Sequence, residues 1–233
     1  MAEVGLALAT AAFVGSHLAL SHPYRLTLVQ NLGESRFTLL YSGVAAVTLL
    51  AVILTYRGID ESFPLWIAPD WAFWAGSAVM LPACILLVGS FMRNPAFPHP
   101  GAQKRAARPA TGVFAVTRHP MNWSFALWAL VHLALWGSPR NLIVAGGILI
   151  LAAAGSVGQD RKKRAAIGQA WRAWEARTSF VPFGALLARR AKWRDSAPGW
   201  LAFGGGLALW LIVTWLHAPQ VSPVARLVEL ASA

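Results

Sequence analysis

Six long apolar runs, separated by polar segments, divide this chain. None of them alternates with the two-residue period of a half-buried strand, and each is close to the about 20 residues that a bilayer-spanning helix needs. The pattern predicts an all-α fold, a polytopic membrane helix bundle that forms one integral-membrane domain over residues 1–233. About six transmembrane helices are predicted, at 4–20, 37–56, 71–92, 120–136, 142–157 and 200–216.

The basic residues between the apolar runs predict the orientation of the bundle. The loops at 21–36, 93–118 and 158–199 hold 17 of the 20 lysines and arginines. Lysine and arginine collect in the cytoplasmic loops of membrane proteins. These three loops are therefore predicted to be cytoplasmic, and both termini to lie on the other side of the membrane.

The third basic loop contains a segment with a helical pattern, residues 160–177. Ile167, Trp171 and Trp174 share one face of it, and lysines and arginines cover the rest. An apolar stripe opposite a basic face is typical of a helix that lies on an anionic membrane surface. We therefore predict a cytoplasmic interfacial helix here. Residues 93–111, rich in proline, alanine, lysine and arginine, predict an irregular cover or linker instead.

Composition supports the membrane class. The chain is 57% hydrophobic and only 12% charged, whereas about a quarter of the residues of a soluble domain are charged. The net charge of +11 could indicate a nucleic-acid partner, but the basic residues lie in loops where an orientation signal places them. We therefore predict a lipid bilayer as the partner and no nucleic acid. Cys84 is the single cysteine, which excludes an intrachain disulfide.

Histidines are the main candidates for chemistry. His17 lies near the end of the first predicted span, and His119 lies just before Pro120, a residue favoured in the first turn of a helix. The predicted orientation places both histidines near the cytoplasmic face of the membrane. It places His132 and His217 toward the opposite face. Ionisable residues inside a membrane are costly and tend to mark functional sites. A hydrogen-bonded packing role is the alternative for each single histidine.

Two imidazoles at one depth suit haem better than zinc. A zinc site normally takes three or four ligands with help from cysteine or carboxylate, whereas haem iron takes one or two imidazoles in an apolar slot. The anionic propionates would need cations at the membrane surface. His17 and His119 are therefore the candidate iron ligands, and Arg118 is the candidate partner of a propionate, with plain membrane anchoring as its alternative role.

Short motifs follow one another in a fixed order along most of the chain. They are Gly15-Ser16-His17, Ser21-His22-Pro23, Leu32-Gly33-Glu34, Leu40-Tyr41-Ser42, the segment GVFAVTRHPM at 112–121, the segment LWALVHL at 127–133, Asp160-Arg161-Lys162-Lys163, Gly168 with Ala170-Trp171, and the segment TSFVPF at 178–183. This ordered set resembles the NnrU family, the bacterial relatives of the plant zeta-carotene isomerase.

The resemblance implies a multi-pass protein of the bacterial inner membrane, with both termini periplasmic in the predicted orientation. In the isomerase branch it implies haem b held by the histidines that match His17 and His119. That branch uses the haem for cis–trans isomerisation of a poly-cis carotene, without net redox change. A cysteine three residues before the second histidine can act there as an exchangeable ligand, and here that position is Val116.

The bacterial branch of the family implies a role in nitrite and nitric oxide metabolism, that is, in denitrification. The function predicted from the resemblance is therefore a haem b-binding membrane protein of the NnrU type that acts in this metabolism, with a nitrogen-oxide or polyene substrate. A haem-dependent isomerase of a poly-cis carotene is the enzymatic alternative.

A second resemblance gives another alternative. Arg118-His119-Pro120, followed by a helix pair and a basic helix, is similar to the isoprenylcysteine and phospholipid methyltransferases, which bind S-adenosylmethionine. Those enzymes have a tyrosine two residues after the proline and a glutamate pair before the basic helix. This chain has Asn122 and Gln159-Asp160 there, and both departures count against a methyl-donor site. A non-catalytic assembly factor is a third alternative, because family membership alone proves no activity.

Overall fold

The computed structural model describes residues 1–60, 64–98 and 100–232. Over these residues the chain is helical, apart from an isolated bridge between Ile67 and Trp136, so the predicted all-α class is confirmed. The helices are α1 (Ala2–Ser21), α2 (Arg25–Leu32), α3 (Glu34–Arg57), α4 (Asp70–Ser90), α5 (Ala102–Ala107), α6 (Val113–Val116), α7 (Pro120–Leu135), α8 (Pro139–Arg177), α9 (Gly184–Leu187), α10 (Trp200–His217) and α11 (Pro223–Ser232), with 3-10 turns at Trp193–Ser196 and Pro219–Val221.

Each of the six predicted spans coincides with a helix, although the spans at 71–92 and 120–136 extend two residues and one residue beyond the ends of α4 and α7. Among the described residues, five helices are long and apolar enough to cross a membrane: α1, α3, α4, α8 and α10. The fourth predicted span is α7, which has 16 residues and a length of about 24 Å. That length is shorter than the about 30 Å of a hydrocarbon core.

The fifth predicted span and the predicted interfacial helix form one element, α8. The apolar part of α8 continues into the basic part without a break until Gly168, where the backbone leaves the helical region (φ 45°, ψ −115°). The basic helix is therefore present, but it begins as the extension of a span and bends at a glycine.

The described chain forms two compact units, each built from two segments. The first unit comprises Met1–Ala68 and His132–Lys162, and the second comprises Pro69–Val131 and Lys163–Ala233. Leu6, Phe13, Val52 and Ile59 form the core of the first unit. The core of the second unit includes Leu86, Ala106, Ala110, Phe114, Trp171 and Trp174.

The apolar face of the basic helix packs against protein, which corrects the prediction that it lies on lipid. Trp171 is fully buried and Trp174 is 2% exposed. Phe114 lies edge-on to Trp174, with ring centroids 6.0 Å apart. The covering residues include Ala106 and Phe114. Ala106 belongs to α5, inside the segment 93–111 that was predicted to be an irregular cover or linker, and Phe114 belongs to α6, which follows that segment. The two tryptophans therefore stabilise the core of the second unit.

Within the second unit, α4 and α10 approach closely at a glycine. A Cβ atom on Gly206 would lie 2.6 Å from the Cα of Ile85, which is too close for any side chain. Small residues at such crossings let membrane helices pack backbone to backbone. The glycine therefore sets the spacing of this helix pair.

We expect Gly206→Ala to destabilise the protein by about 1–3 kcal/mol, because the added methyl group must push the two helices apart. Gly204→Ala, on the same helix, is the matched control, since a Cβ atom there has no neighbour within 4 Å. Thermal unfolding in detergent should show a lower midpoint for the first variant only. Equal midpoints for the two variants would contradict this close packing.

Candidate functional site

His119 is held at the point where α7 begins. The helix starts at Pro120, as predicted, and His119 is buried, with 2% of its surface exposed. Its ring packs edge-on against Phe180, with ring centroids 5.2 Å apart. The backbone N–H of His119 donates to the Thr117 hydroxyl (3.3 Å). The imidazole is therefore fixed at the N-terminal end of α7, in contact with an aromatic ring.

Thr117 links the N-terminal end of α7 to the segment that follows α8 by hydrogen bonds. Its hydroxyl, fully buried, donates to the carbonyl oxygen of Phe180 (2.8 Å), which also accepts from the Trp123 indole (2.7 Å). One residue on, the backbone N–H of Arg118 donates to the carbonyl oxygen of Ser179 (2.9 Å). These bonds position both Arg118 and His119 against residues 179–180.

We expect Thr117→Val to destabilise the second unit by about 1–3 kcal/mol, because it removes a buried hydrogen bond without changing the side-chain size much. Thr117→Ser keeps the hydroxyl and should stay within about 1 kcal/mol of the wild type. The free energy of unfolding from a denaturant titration compares the two. A valine variant as stable as the serine variant would contradict the role of the hydroxyl.

Arg118 lies beside a carboxylate that the sequence did not predict to be there. Its guanidinium carbon is 5.6 Å from the centre of the Phe180 ring, and its Nη2 is 3.9 Å from Glu175 Oε1. Arg164 binds both oxygens of Glu175, with distances between 2.7 and 3.0 Å. Glu175 is only 15% exposed. A partly buried carboxylate therefore lies between two guanidinium groups, one of which belongs to the residue before His119.

The kink at Gly168 makes this ion pair possible. Arg164 and Glu175 are 11 residues apart, which corresponds to about 16 Å along a straight helix. At Gly168 the backbone takes φ 45° and ψ −115°, a conformation that only glycine adopts easily. The bend brings the two ends of the basic helix together, so Gly168 determines where Glu175 and Arg118 meet.

His17 lies in α1, in the first unit. Its Nδ1 is 3.0 Å from the carbonyl oxygen of Phe13, one turn earlier. Its half-buried ring packs against the Phe13 ring (4.3 Å) and edge-on to Tyr41 (5.4 Å). The Ser21 hydroxyl donates to the Tyr41 hydroxyl (3.3 Å). Aromatic groups thus fix the ring of His17 as they fix the ring of His119.

His22 lies just beyond the end of α1 and has different neighbours. Its ring packs on Gly158 of α8, where no Cβ atom would fit. Lys162 lies close by and donates to the carbonyl oxygen of Ser21 (3.4 Å). Burial, and secondarily the charge of Lys162, lower the pKa of His22 from its usual value. Folding therefore favours the neutral ring, and this stabilisation is lost as the pH falls through the lowered pKa.

The remaining histidines lie elsewhere. His132 is half-buried in the first unit, and its carbonyl oxygen accepts from the Asn141 amide (2.8 Å). His217 is exposed at the end of α10 in the second unit, and His99 lies outside the described residues. Over the residues that the structure describes, no three His, Cys, Asp or Glu side chains form a group that could hold a metal ion.

An apolar groove runs along α1 and the first part of α8, within the first unit. It has a volume of about 490 Å³ and is lined mostly by alanine, glycine and aliphatic residues. Gly15, two residues before His17, is part of its lining. The groove therefore approaches the end of α1 that carries this histidine.

Sequence reasoning missed Glu175 as the acid near Arg118 and Tyr41 as the neighbour of His17. Glu175 is the one acid among the basic residues between Arg161 and Arg177. An isolated acid in a basic segment was the available signal. Tyr41 belongs to one of the motifs that carry the resemblance, but no spacing rule connects it with His17.

Comparison with known proteins supports the resemblance. The family model described as "NnrU protein" matches residues 5–223. The chain is also 29% identical over 82 residues to the 15-cis-zeta-carotene isomerase, chloroplastic, of Zea mays; this match covers 35% of the chain and 22% of that relative's length. No solved structure matches significantly. With nearly its whole length covered by the family model, the chain belongs to the NnrU family.

Proposed function

We propose that this membrane protein binds haem b, with His17 and His119 as ligands of the iron and Arg118 as a partner of a propionate. The contact between His17 Nδ1 and the carbonyl oxygen of Phe13 carries the proposal. Because a carbonyl oxygen only accepts, Nδ1 donates in this contact, and in the neutral imidazole that tautomer leaves the lone pair of Nε2 for a metal. Histidines that bind metals almost always donate their other ring nitrogen in this way.

The surroundings of both histidines suit a macrocycle. Phe13 and Tyr41 lie against His17, and Phe180 lies against His119. Aromatic and apolar neighbours favour a bound porphyrin over water. Arg118 follows the same pattern: it contacts Phe180 and lies 3.9 Å from Glu175, and a cation adjacent to His119 supports the proposal that Arg118 pairs with an anionic propionate.

His17 belongs to the first unit and His119 to the second. That the two imidazoles share one iron stays a prediction, based on the equal depth that the loop charges assign to them. The same charges support the orientation with both termini on the periplasmic side, and membership of the NnrU family supports a place in the bacterial inner membrane.

Cis–trans isomerisation of a polyene is the activity that the comparisons favour, because the matched relative carries that activity in its name. The groove of about 490 Å³ near His17 favours an elongated apolar substrate. When bound, haem would supply an iron centre, while the chain would orient the substrate and exclude water from it. Position 116 supplies no ligand, since it is Val116. A role in nitrite and nitric oxide metabolism stays a prediction from the family resemblance.

Titration of the purified protein with hemin tests the proposal. We expect saturation near one haem per chain, with the absorption spectrum of a bis-imidazole iron. A variant with both His17→Ala and His119→Ala should not give this spectrum at any hemin concentration. Uptake by the wild type that never saturates, or an identical spectrum with the double variant, would contradict haem binding by these residues.

A further inference from the structure

Residues 181–194 form an ordered surface segment of the second unit. Ala185 and Leu186 of α9 are buried, with 0% and 1% of their surface exposed, and they anchor the segment. The helix ends in a Schellman motif: the N–H of Arg190 donates to the carbonyl oxygen of Ala185 (2.8 Å), and the N–H of Arg189 to that of Leu186 (3.0 Å). The outward side chains of residues 181–194 are therefore held in place.

Four of these outward side chains are large and apolar. Val181, Phe183, Leu187 and Trp193 are 59%, 45%, 72% and 58% exposed. The rings of Phe183 and Trp193 stack, with centroids 6.1 Å apart. Four such residues within 14 positions form an apolar patch, and exposing a patch of this kind to water is unfavourable.

Cations surround this apolar patch. Arg189, Arg190, Lys192 and Arg194 are all exposed, with Asp195 as the neighbouring acid, 3.8 Å from Arg194. The Nη1 of Arg190 donates to the carbonyl oxygens of Ala176 (2.7 Å) and Thr178 (2.8 Å), so part of this side chain closes the end of α8. Within the described residues, the side chains of Arg189 and Lys192 make no hydrogen bond or ion pair, which leaves them available to an anion.

The segment lies next to the residues that precede α7 and α10. The N–H of Phe183 donates to the carbonyl oxygen of Val116 (2.8 Å), four residues before α7 begins at Pro120. Trp193 lies seven residues before Trp200, where α10 begins. Trp193 therefore lies close in sequence to the start of α10, one of the described helices that are long and apolar enough to cross a membrane, and indole rings are favoured at membrane interfaces.

We propose that residues 181–194 form a binding surface for the headgroups of anionic phospholipids. The apolar side chains insert into the top of the acyl layer, and Arg189 and Lys192 bind phosphate and glycerol oxygens of the headgroups. A soluble acidic partner would match the charges, but it would leave the four apolar side chains at the membrane boundary without a matching environment. A lipid surface satisfies both features.

The test measures which lipid is enriched next to the segment. In a Cys84→Ser background, Leu187→Cys carries a bimane label, and the protein is reconstituted in vesicles of phosphatidylcholine and phosphatidylglycerol at one fixed ratio. Two vesicle preparations are compared: in one the phosphatidylglycerol is brominated near the top of the acyl chain, and in the other the phosphatidylcholine is. The ratio of the two quenching efficiencies reports local enrichment. Ile212→Cys, which is 53% exposed on α10, is the matched control.

We expect the quenching ratio at position 187 to favour phosphatidylglycerol by roughly twofold to fivefold over the ratio at position 212. Adding Arg189→Gly and Lys192→Gln should bring the two ratios together. Arg189 has φ 56° at the position where Schellman motifs prefer glycine, so its replacement should keep or raise the thermal midpoint. Equal ratios at positions 187 and 212 in the parent protein, or an unchanged ratio after the two substitutions, would overturn the proposal.

Discussion

If His17 and His119 bind haem iron as proposed, replacing either one with alanine should convert the low-spin iron to high-spin iron or cause loss of the haem. Each substitution removes one of two imidazoles, and a single axial imidazole no longer splits the iron d-orbitals enough to pair all the spins. We expect the sharp visible bands of the reduced protein to broaden or disappear in each variant. The absorption spectrum and the haem content per chain of the purified variants measure the effect.

Two controls separate ligation from folding. His22→Ala removes a histidine five residues from His17 whose ring packs on Gly158, and it should leave the bands intact. His17→Gly and His119→Gly leave room for free imidazole, which should restore the low-spin bands if these side chains bind the iron. Wild-type bands in both alanine variants, or bands that disappear only with His22→Ala, would remove the proposed ligand pair.

Gly168→Ala should lower the stability of the protein more than most glycine-to-alanine substitutions in the chain. An alanine at φ 45° and ψ −115° is strained by about 1–3 kcal/mol, and a straightened helix would separate Arg164 from Glu175. Arg118 would then lose the carboxylate that lies 3.9 Å from it. We expect a lower thermal midpoint and, if the haem proposal holds, a weaker affinity for hemin.

Gly146→Ala is the matched control for this prediction. Gly146 lies in the same helix at an ordinary helical conformation, and a Cβ atom there meets nothing within 4 Å. Alanine favours a helix over glycine, so the control should be neutral or stabilising. A thermal midpoint for Gly168→Ala equal to that of Gly146→Ala would show that the bend is not needed.

The apolar runs predicted the helices well because length and composition decide what a bilayer accepts. The same pattern could not show what covers an amphipathic face. Trp171 and Trp174 share a stripe as expected, but Phe114 of α6 covers it, and a stripe does not distinguish lipid from protein. The short helix α11 also escaped prediction, since it is neither long enough nor apolar enough to resemble a span.

The candidate site was predictable only in part. The position of His119 at a helix start follows from Pro120, and the contact of His17 with Phe13 follows from the four-residue spacing of a helix. The meeting of Glu175 with Arg164 depends on a positive φ angle at Gly168. A glycine inside a helical pattern is compatible with a straight helix, so the sequence alone did not indicate the bend.

The electron paramagnetic resonance spectrum of the ferric wild-type protein, purified in detergent without added hemin, tests haem binding by His17 and His119 most directly. Two imidazole ligands should give a low-spin signal that accounts for about one iron per chain, with no significant high-spin signal. A predominantly high-spin signal would contradict ligation by two histidines. A protein that carries no iron and takes up no hemin would contradict haem binding itself.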